Sequence, residues 1–420
     1  MPEPKAIRPI AALLLAVLAL AGSIPRPLRV QVATGKFATT AWPYLPGSSI
    51  PLRVEGFSAP YHAALLGPGR LLAGGVYQVP QQALAGSALL VAGNTVGLAA
   101  TSLRIGPPPN ERRSFLVVAS YEDGLIFHAA DDFAVIGVLA TGGTPSDVAI
   151  DTLGRIASAD TQGTSLTLAT LAPWNVRCVA GVVLGDAIRI DPATHAIFIT
   201  DRDLNGSGAL TRLSFNGTVT RVATGATAEG LAIDPMRHIV YVANTNDGTV
   251  AAIDARSMRV LRRFKTVPRV FSLALSPNGR RLYAIANQSA GSLFAAPGAA
   301  VAIDVSARAP RTVARSADLT FPLGAALDPD TRSLFVTDEQ LGQIDVLDAS
   351  TLRAKRPPLL TCATPWEPSY DAANRRLYVP CAGANVVDVF DTRTLHRIAH
   401  APFVTGGYPL AIAIWHPVAK

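Results

Sequence analysis

The sequence predicts an all-β protein: a seven-bladed β-propeller closed by the C-terminal strand, preceded by a small β-sandwich. Three observations carry this expectation. From residue 115 onward a short apolar strand ending in an acidic or bulky anchor recurs seven times, with anchors 40, 43, 42, 52, 43 and 44 residues apart. That period suits four strands and their turns and is too long for a leucine-rich repeat. Glycine (34) and proline (32) are frequent enough to punctuate many short strands. The repeats also begin on a second-type strand, Phe115 to Ser120, and end on a first-type strand, Ala411 to Trp415, so the last strand must complete the first blade. Closing a ring in this way removes two open sheet edges.

Composition bounds the remaining choices. A chain of 420 residues with 49% hydrophobic and 16% charged residues has ample material for large cores and is not disordered. Three cysteines exclude a disulfide framework and a four-cysteine zinc site, and none of the seven histidines falls in an HExxH spacing. The net charge of +7 comes from arginines scattered singly or in pairs such as Arg262 with Arg263 and Arg375 with Arg376. Without a basic run, nucleic acid is not an expected partner.

Residues 1-21 read as a signal peptide: Lys5 and Arg8, an apolar run from Ile10 to Ala21, then Gly22 and Ser23 after a small-x-small site. Twelve apolar residues rise about 18 Å as a helix, too little for a hydrocarbon core of roughly 30 Å. No membrane span is expected after cleavage, and the mature chain is expected to be periplasmic or secreted. Leu20-Ala21-Gly22-Ser23 looks like a lipoprotein box with serine in place of the acylated cysteine. Residues 22-43 read as an extended linker. Residues 44-107 show strands at Leu52 to Val54, Gly75 to Val79, Ser87 to Ala92 and Leu98 to Ile105 and read as the small sandwich. This stretch resembles bacterial immunoglobulin-like modules. Pro107-Pro108-Pro109 forms a stiff spacer to the ring at 112-418.

Within the ring, first strands end in Val148-Ala149-Ile150-Asp151, Ile188-Arg189-Ile190-Asp191, Leu231-Ala232-Ile233-Asp234, Leu273-Ala274-Leu275-Ser276, Ala325-Ala326-Leu327-Asp328, Ser369-Tyr370-Asp371 and Ile412-Ala413-Ile414-Trp415. Second strands such as Ile239 to Asn244 and third strands such as Thr249 to Asp254 follow. More polar fourth strands such as Val260 to Phe264 complete each unit at the water-facing edge. Val240-Tyr241-Val242-Ala243-Asn244 followed by Thr249-Val250-Ala251-Ala252-Ile253-Asp254 resembles the YVTN family of bacterial β-propeller repeats. The resemblance implies the fold. It names no chemistry, because related propellers include lactonases, lyases, haem-binding domains and scaffolds.

Loops entering each first strand and leaving each second strand share one face around the channel mouth. Asp147, Asp186, Glu229 and Glu367 lie four or five residues before their anchors, so four blades can offer a carboxylate there, to a cation or a positively charged ligand. The alternative is that these acids accept backbone donors at turns. Trp366 and Tyr408 are candidate aromatic walls at the mouth. By resemblance to metal-dependent lactonases of the gluconolactonase type, Glu229, Asn244, Asn287 and Asp338 would be calcium ligands, although Asp and Asn also start tight turns. Asp201-Arg202-Asp203-Leu204-Asn205-Gly206 matches the first half of a calcium loop, with oxygens at Asp201, Asp203 and Asn205, but position 12 is Arg212 rather than Glu. Calcium is thus the one cofactor the sequence suggests. In an oxidising compartment Cys362 and Cys381 are candidates to pair, leaving Cys178 alone; three free thiols are the alternative. No nucleophile or phosphate-loop motif is present. The expected function is a monomeric, non-catalytic binding or scaffold protein that takes a protein, glycan or small-molecule ligand on the channel face. The alternative is a metal-assisted lactonase or lyase at the acidic mouth.

Overall fold

The computed structural model describes residues 29–32, 42–55, 62–72, 75–94, 97–141, 143–161, 165–180, 185–202, 205–215, 217–287 and 297–418. The expected signal peptide at 1-21 lies outside them. The described residues form β-strands, turns and loops, with no helix.

From Phe115 onward, four-stranded antiparallel sheets follow one another, each in simple up-and-down order. In a representative sheet, Ala228–Asp234 pairs with Ile239–Asn244, which pairs with Thr249–Asp254, which pairs with Val260–Lys265. Burial explains the composition of each strand. Ile239–Asn244 is buried nearly throughout because sheets cover both of its faces, whereas Val260–Lys265 alternates half-buried and exposed residues at the outer edge. Inner strands approach the axis, where sheets converge, and they carry alanine: Ala149, Ala232, Ala326 and Ala413 are nearly buried there. Larger residues such as Tyr241, Phe335 and Tyr378 fill the wider space further out. This grading from small to large fits the taper of a wedge. Each such large buried side chain contributes about 1.5–3 kcal/mol.

The inner strands touch in cyclic order, each packed against the next, and the circle closes where Pro145–Ile150 and Ser369–Asp371 both contact Pro409–Trp415. That last strand pairs with Phe115–Ser120, with Ile412 opposite Val118 and Trp415 opposite Phe115. The first and last strands of the ring are therefore joined in one sheet, Val135–Leu139, Gly124–Ala129, Phe115–Ser120 and Pro409–Trp415.

The anchor residues owe their identity to turn chemistry. Asp234 Oδ1 accepts the backbone N–H groups of Met236 (3.1 Å) and Arg237 (3.0 Å), and Asp328 Oδ1 accepts those of Asp330 (2.9 Å) and Thr331 (3.2 Å). Each carboxylate closes the turn between inner and second strands, satisfying donors the ladder leaves open. These turns define a hairpin face. The opposite ends, where Ala228 meets Asn244, define the mouth face.

Ahead of the ring, Arg29–Val32, Ser49–Glu55, Val76–Gln78 and Arg70–Leu72 form one sheet, and His62–Leu66, Gly86–Gly93 and Leu98–Ile105 form another. The stretch expected as a linker thus contributes a strand, Arg29–Val32, paired to Ser49–Glu55. Its Arg-Val-Gln-Val sequence is too short for the alternation to stand out. The segment before Ser49 then covers the open edge of Val135–Leu139: Leu45 N–H donates to Val138 O (2.8 Å) and Val138 N–H to Pro43 O (2.9 Å). An exposed ladder edge is blunted in this way. Leu45 packs with Phe115 and Phe127, and Trp174 Nε1 donates to Pro46 O at 2.9 Å. Cys362 and Cys381 are joined by a disulfide with Cα atoms 5.8 Å apart, while Cys178 is free and exposed.

Candidate functional site

Inner strands lose their regular register near the mouth face. Shifts fall between Pro145 and Asp147, Ala228 and Leu231, Val270 and Ser272, Pro322 and Ala325, and Pro409 and Ala411. A bulge of this kind bends the strand and re-aims side chains, here at the axis. The result is a small cavity of about 40 Å³ whose lining includes all four expected acids, Asp147, Asp186, Glu229 and Glu367, together with Trp366. Glycine permits the close approach: a Cβ on Gly324 would sit 2.8 Å from Glu367 Cα, and one on Gly230 would sit 2.5 Å from Phe271 O.

The cation between two of these acids, Asp147 and Glu367, is Arg189, which the sequence did not single out. Its Nη1 donates to Asp147 Oδ2 at 2.5 Å and to Ile188 O at 2.7 Å, and its Nη2 donates to Glu367 Oε1 at 3.2 Å. Asp147 also accepts the backbone N–H groups of Val148 (2.7 Å) and Ile188 (2.9 Å), and Ser272 Oγ donates to Glu367 Oε1 at 3.3 Å. Of the other two acids, Glu229 accepts through Oε2 from Thr245, and at Asp186 it is the backbone carbonyl that accepts from Ser146 Oγ, at 2.9 Å. Burial pushes the Asp147 carboxyl up to about 6; Arg189 and the two backbone donors work against that, and Glu367 adds to it. The Arg189 guanidinium is held above its ordinary range: burial disfavours its charge, and Asp147 and Glu367 outweigh that.

Arg189 divides the channel. Toward the hairpin face lies a wider cavity of about 470 Å³, with Arg189, Asp147 and Glu367 at its base and Asp371 and His416 among its walls. At the mouth face an aromatic row runs outward. Phe271 and Trp366 have ring centroids 6.5 Å apart, Trp366 and Tyr408 6.4 Å, and Tyr408 and Tyr121 6.1 Å, all edge to face. Trp366 Nε1 is buried without a hydrogen-bond partner among the described residues. The Tyr408 phenol is pushed up by burial and by the nearby Glu339 charge.

The calcium expectations fare differently. Asp201 accepts from Arg221 Nη2 (2.5 Å) and Nε (3.0 Å) and from Thr211 Oγ1 (2.5 Å), so its charge is already met by a guanidinium. Asp203 lies outside the described residues, and Asn205 is exposed. Of the lactonase-like set, Glu229 alone lines the mouth cavity. Asn244 donates to Thr224 O (3.3 Å) and Thr249 Oγ1 (3.2 Å), and Asp338 accepts from the backbone of Thr320, Phe321 and Leu341. No group of three or more His, Cys, Asp or Glu side chains is placed to hold a metal among the described residues. No helix among them is long and apolar enough to cross a membrane.

No family model matches the chain. It is 31% identical over 101 residues to the uncharacterized protein YncE of Salmonella typhimurium, a match covering 24% of this chain and 28% of that protein. The chain therefore spans about a quarter of the length of the curated relative it matches. In three dimensions it resembles the β-propeller domain of Myceliophteria thermophila Cps50 (Swd1), with TM-score 0.54 and 12% identity over 66% of this chain and 93% of that one. The chain is a propeller-type protein. Its ring also resembles the Pseudomonas aeruginosa periplasmic gluconolactonase PpgL, with TM-score 0.59 and 13% identity over 73% of this chain and 99% of that one. At these identities the propeller likeness extends to fold alone.

Proposed function

We propose that this protein is a seven-bladed propeller of YVTN type, residues 112-418, which binds a ligand on its mouth face without catalysis. It is preceded by a small immunoglobulin-like sandwich at 44-107 and is delivered to the periplasm or outside the cell by a signal peptide cleaved after Ala21. The observation that carries the binding reading is the convergence of Asp147, Asp186, Glu229, Glu367 and Trp366 on one cavity, with the aromatic row leading out past Tyr408. Carboxylates accept hydrogen bonds and aromatic edges pack against apolar faces, so the fitting ligand presents hydroxyl or amino donors on a ring or an aliphatic stem: a glycan or a basic protein side chain. No metal is part of this reading, since Arg189 already supplies the positive charge between Asp147 and Glu367.

Titrating neutral oligosaccharides and lysine-rich peptides while following tryptophan fluorescence tests the reading. A saturable change that is lost in Trp366→Ala and weakened in Glu229→Gln supports it. Binding indifferent to both substitutions overturns it.

A second reading rests on Asp147. A carboxyl pushed up to about 6 beside a guanidinium in a channel is a candidate proton shuttle, and propellers of similar fold include a gluconolactonase. Hydrolysis of glucono-lactone by the purified chain, abolished in Asp147→Asn and insensitive to chelation, would favour lactonase-type chemistry over binding.

A further inference from the structure

We propose that a groove on the hairpin face, between the sheets whose inner strands are Val270–Leu275 and Pro322–Asp328, binds a phosphate-bearing anion through Arg280, Arg281 and Arg332. The site is separate from the channel mouth and does not depend on the function proposed there.

The first argument is a departure from the repeat. In two other sheets the anchor aspartate both caps the hairpin turn and neutralises an arginine: Asp151 is 2.6 Å from Arg155 and Asp234 is 2.7 Å from Arg237. Here the anchor is Ser276. Its hydroxyl keeps the capping role, accepting the Arg281 backbone N–H at 2.9 Å, but it carries no charge. The turn survives and its counter-charge is gone.

The consequence is visible in the arginines. Arg280 and Arg332 are exposed, and neither guanidinium makes a hydrogen bond or salt bridge among the described residues. Arg281 Nη1 donates to the carbonyls of Ala349 (3.2 Å) and Ser350 (3.0 Å), which fixes the guanidinium without neutralising it. All three line one groove of about 480 Å³. Asp304 is the one carboxylate lining it, so three arginines against one aspartate leave the lining at a formal +2. Asp304 Oδ1 is engaged by the N–H and hydroxyl of Ser306, which together with the charges of Arg311 and Arg280 hold its carboxyl below the ordinary range, so Asp304 offsets part of the groove's positive charge. Of the two acids of the facing turn, Asp328 caps it through Oδ1 and Asp330 sits 3.6 Å from Arg375.

Guanidinium forks match the spacing of tetrahedral oxyanions and remain charged at any physiological pH. The groove is larger than a free phosphate ion, so it suits a phosphate carried on something else, either a soluble diphosphate or phosphomonoester or a phospholipid headgroup. The shared chemistry is the phosphate group.

The test titrates the full chain with inorganic pyrophosphate by calorimetry and pellets it with vesicles of phosphatidylglycerol or of phosphatidylcholine. Arg280→Gln/Arg332→Gln is compared with Arg393→Gln, which removes one exposed charge from another turn of the same face. Pyrophosphate is expected to bind wild type and Arg393→Gln alike and the double variant at least about tenfold more weakly. Pelleting with phosphatidylglycerol that pyrophosphate reverses identifies the headgroup as the source; pyrophosphate binding without pelleting identifies a soluble phosphate. Absence of pyrophosphate binding, or equal loss in Arg393→Gln and the double variant, overturns the proposal.

Discussion

Replacing Arg189 by methionine removes the cation that Asp147 and Glu367 share. Breaking a fully buried ion pair by deleting one partner costs about 3–5 kcal/mol, because the other charge is left in low dielectric. Asp147 is nearly fully buried, but the Arg189 and Glu367 side chains are 33% and 30% exposed. Water therefore carries part of the loss, and we expect about 2–3 kcal/mol at pH 8. The pH dependence follows from Asp147. Its folded pKa, about 6, already lies above the ordinary 3.8, and removing the guanidinium raises it further. A carboxyl raised on folding destabilises the native state above its folded pKa, and that penalty fades as pH falls and the group takes a proton. Urea unfolding of wild type and Arg189→Met at pH 8 and pH 5 measures this, and the deficit should shrink at pH 5. Arg189→Met/Asp147→Asn should recover part of the loss at pH 8. A deficit under about 0.5 kcal/mol at pH 8, or one that grows on acidification, would refute the account of Arg189 as an internal counter-ion.

Three further outcomes are expected. Asp160 is buried with neither carboxylate oxygen hydrogen-bonded among the described residues, and burial pushes its carboxyl up to about 7; Asp160→Asn should stabilise the chain at pH 8 by about 1–3 kcal/mol, with the gap closing toward pH 4 in urea unfolding series. Reducing the Cys362–Cys381 bond, which spans a sequence separation of 19, should cost about 3 kcal/mol, read as a lower urea midpoint with two additional thiols titrated beside Cys178. Because Arg221 occupies the Asp201 carboxylate, calcium and a chelator should leave the melting temperature of the chain unchanged in differential scanning calorimetry; a calcium-dependent rise would reinstate the loop as a metal site.

The repeat was readable because its anchors follow turn chemistry: an aspartate that caps the hairpin must recur where the hairpin recurs, as Asp151, Asp234 and Asp328 do. The four mouth acids were readable for a related reason, sharing an offset from those anchors and therefore a place at the bulged end of the inner strands. Arg189 was missed although a signal existed. Two residues before each anchor the chain carries Ala149, Ala232, Ala274, Ala326, Ser369 and Ala413, and Arg189 alone is large and charged there. Read as a strand, an isolated arginine resembles a solvent-facing residue; read against the other copies, it stands at the axis. Ser276 is the same kind of signal, a single copy departing from the capping aspartate. The partners of Asp201 could not be read, since Arg221 lies on the outer strand of the same sheet and pairing across two strands leaves no short-range trace. The strand at Arg29–Val32 and the edge cover at Pro43 to Ser49 were likewise silent, because the bonds that pair them with their neighbours run largely backbone to backbone and leave no side-chain pattern.

Hydrogen exchange on the intact chain tests the closure of the ring most directly. With Ile412 opposite Val118 and Trp415 opposite Phe115, the amides of 411–415 should exchange as slowly as those of 116–119 and lose protection together with them as denaturant is added. Rapid exchange at 411–415 while 116–119 stays protected would contradict the closure, and with it the placement of every residue assigned to the mouth.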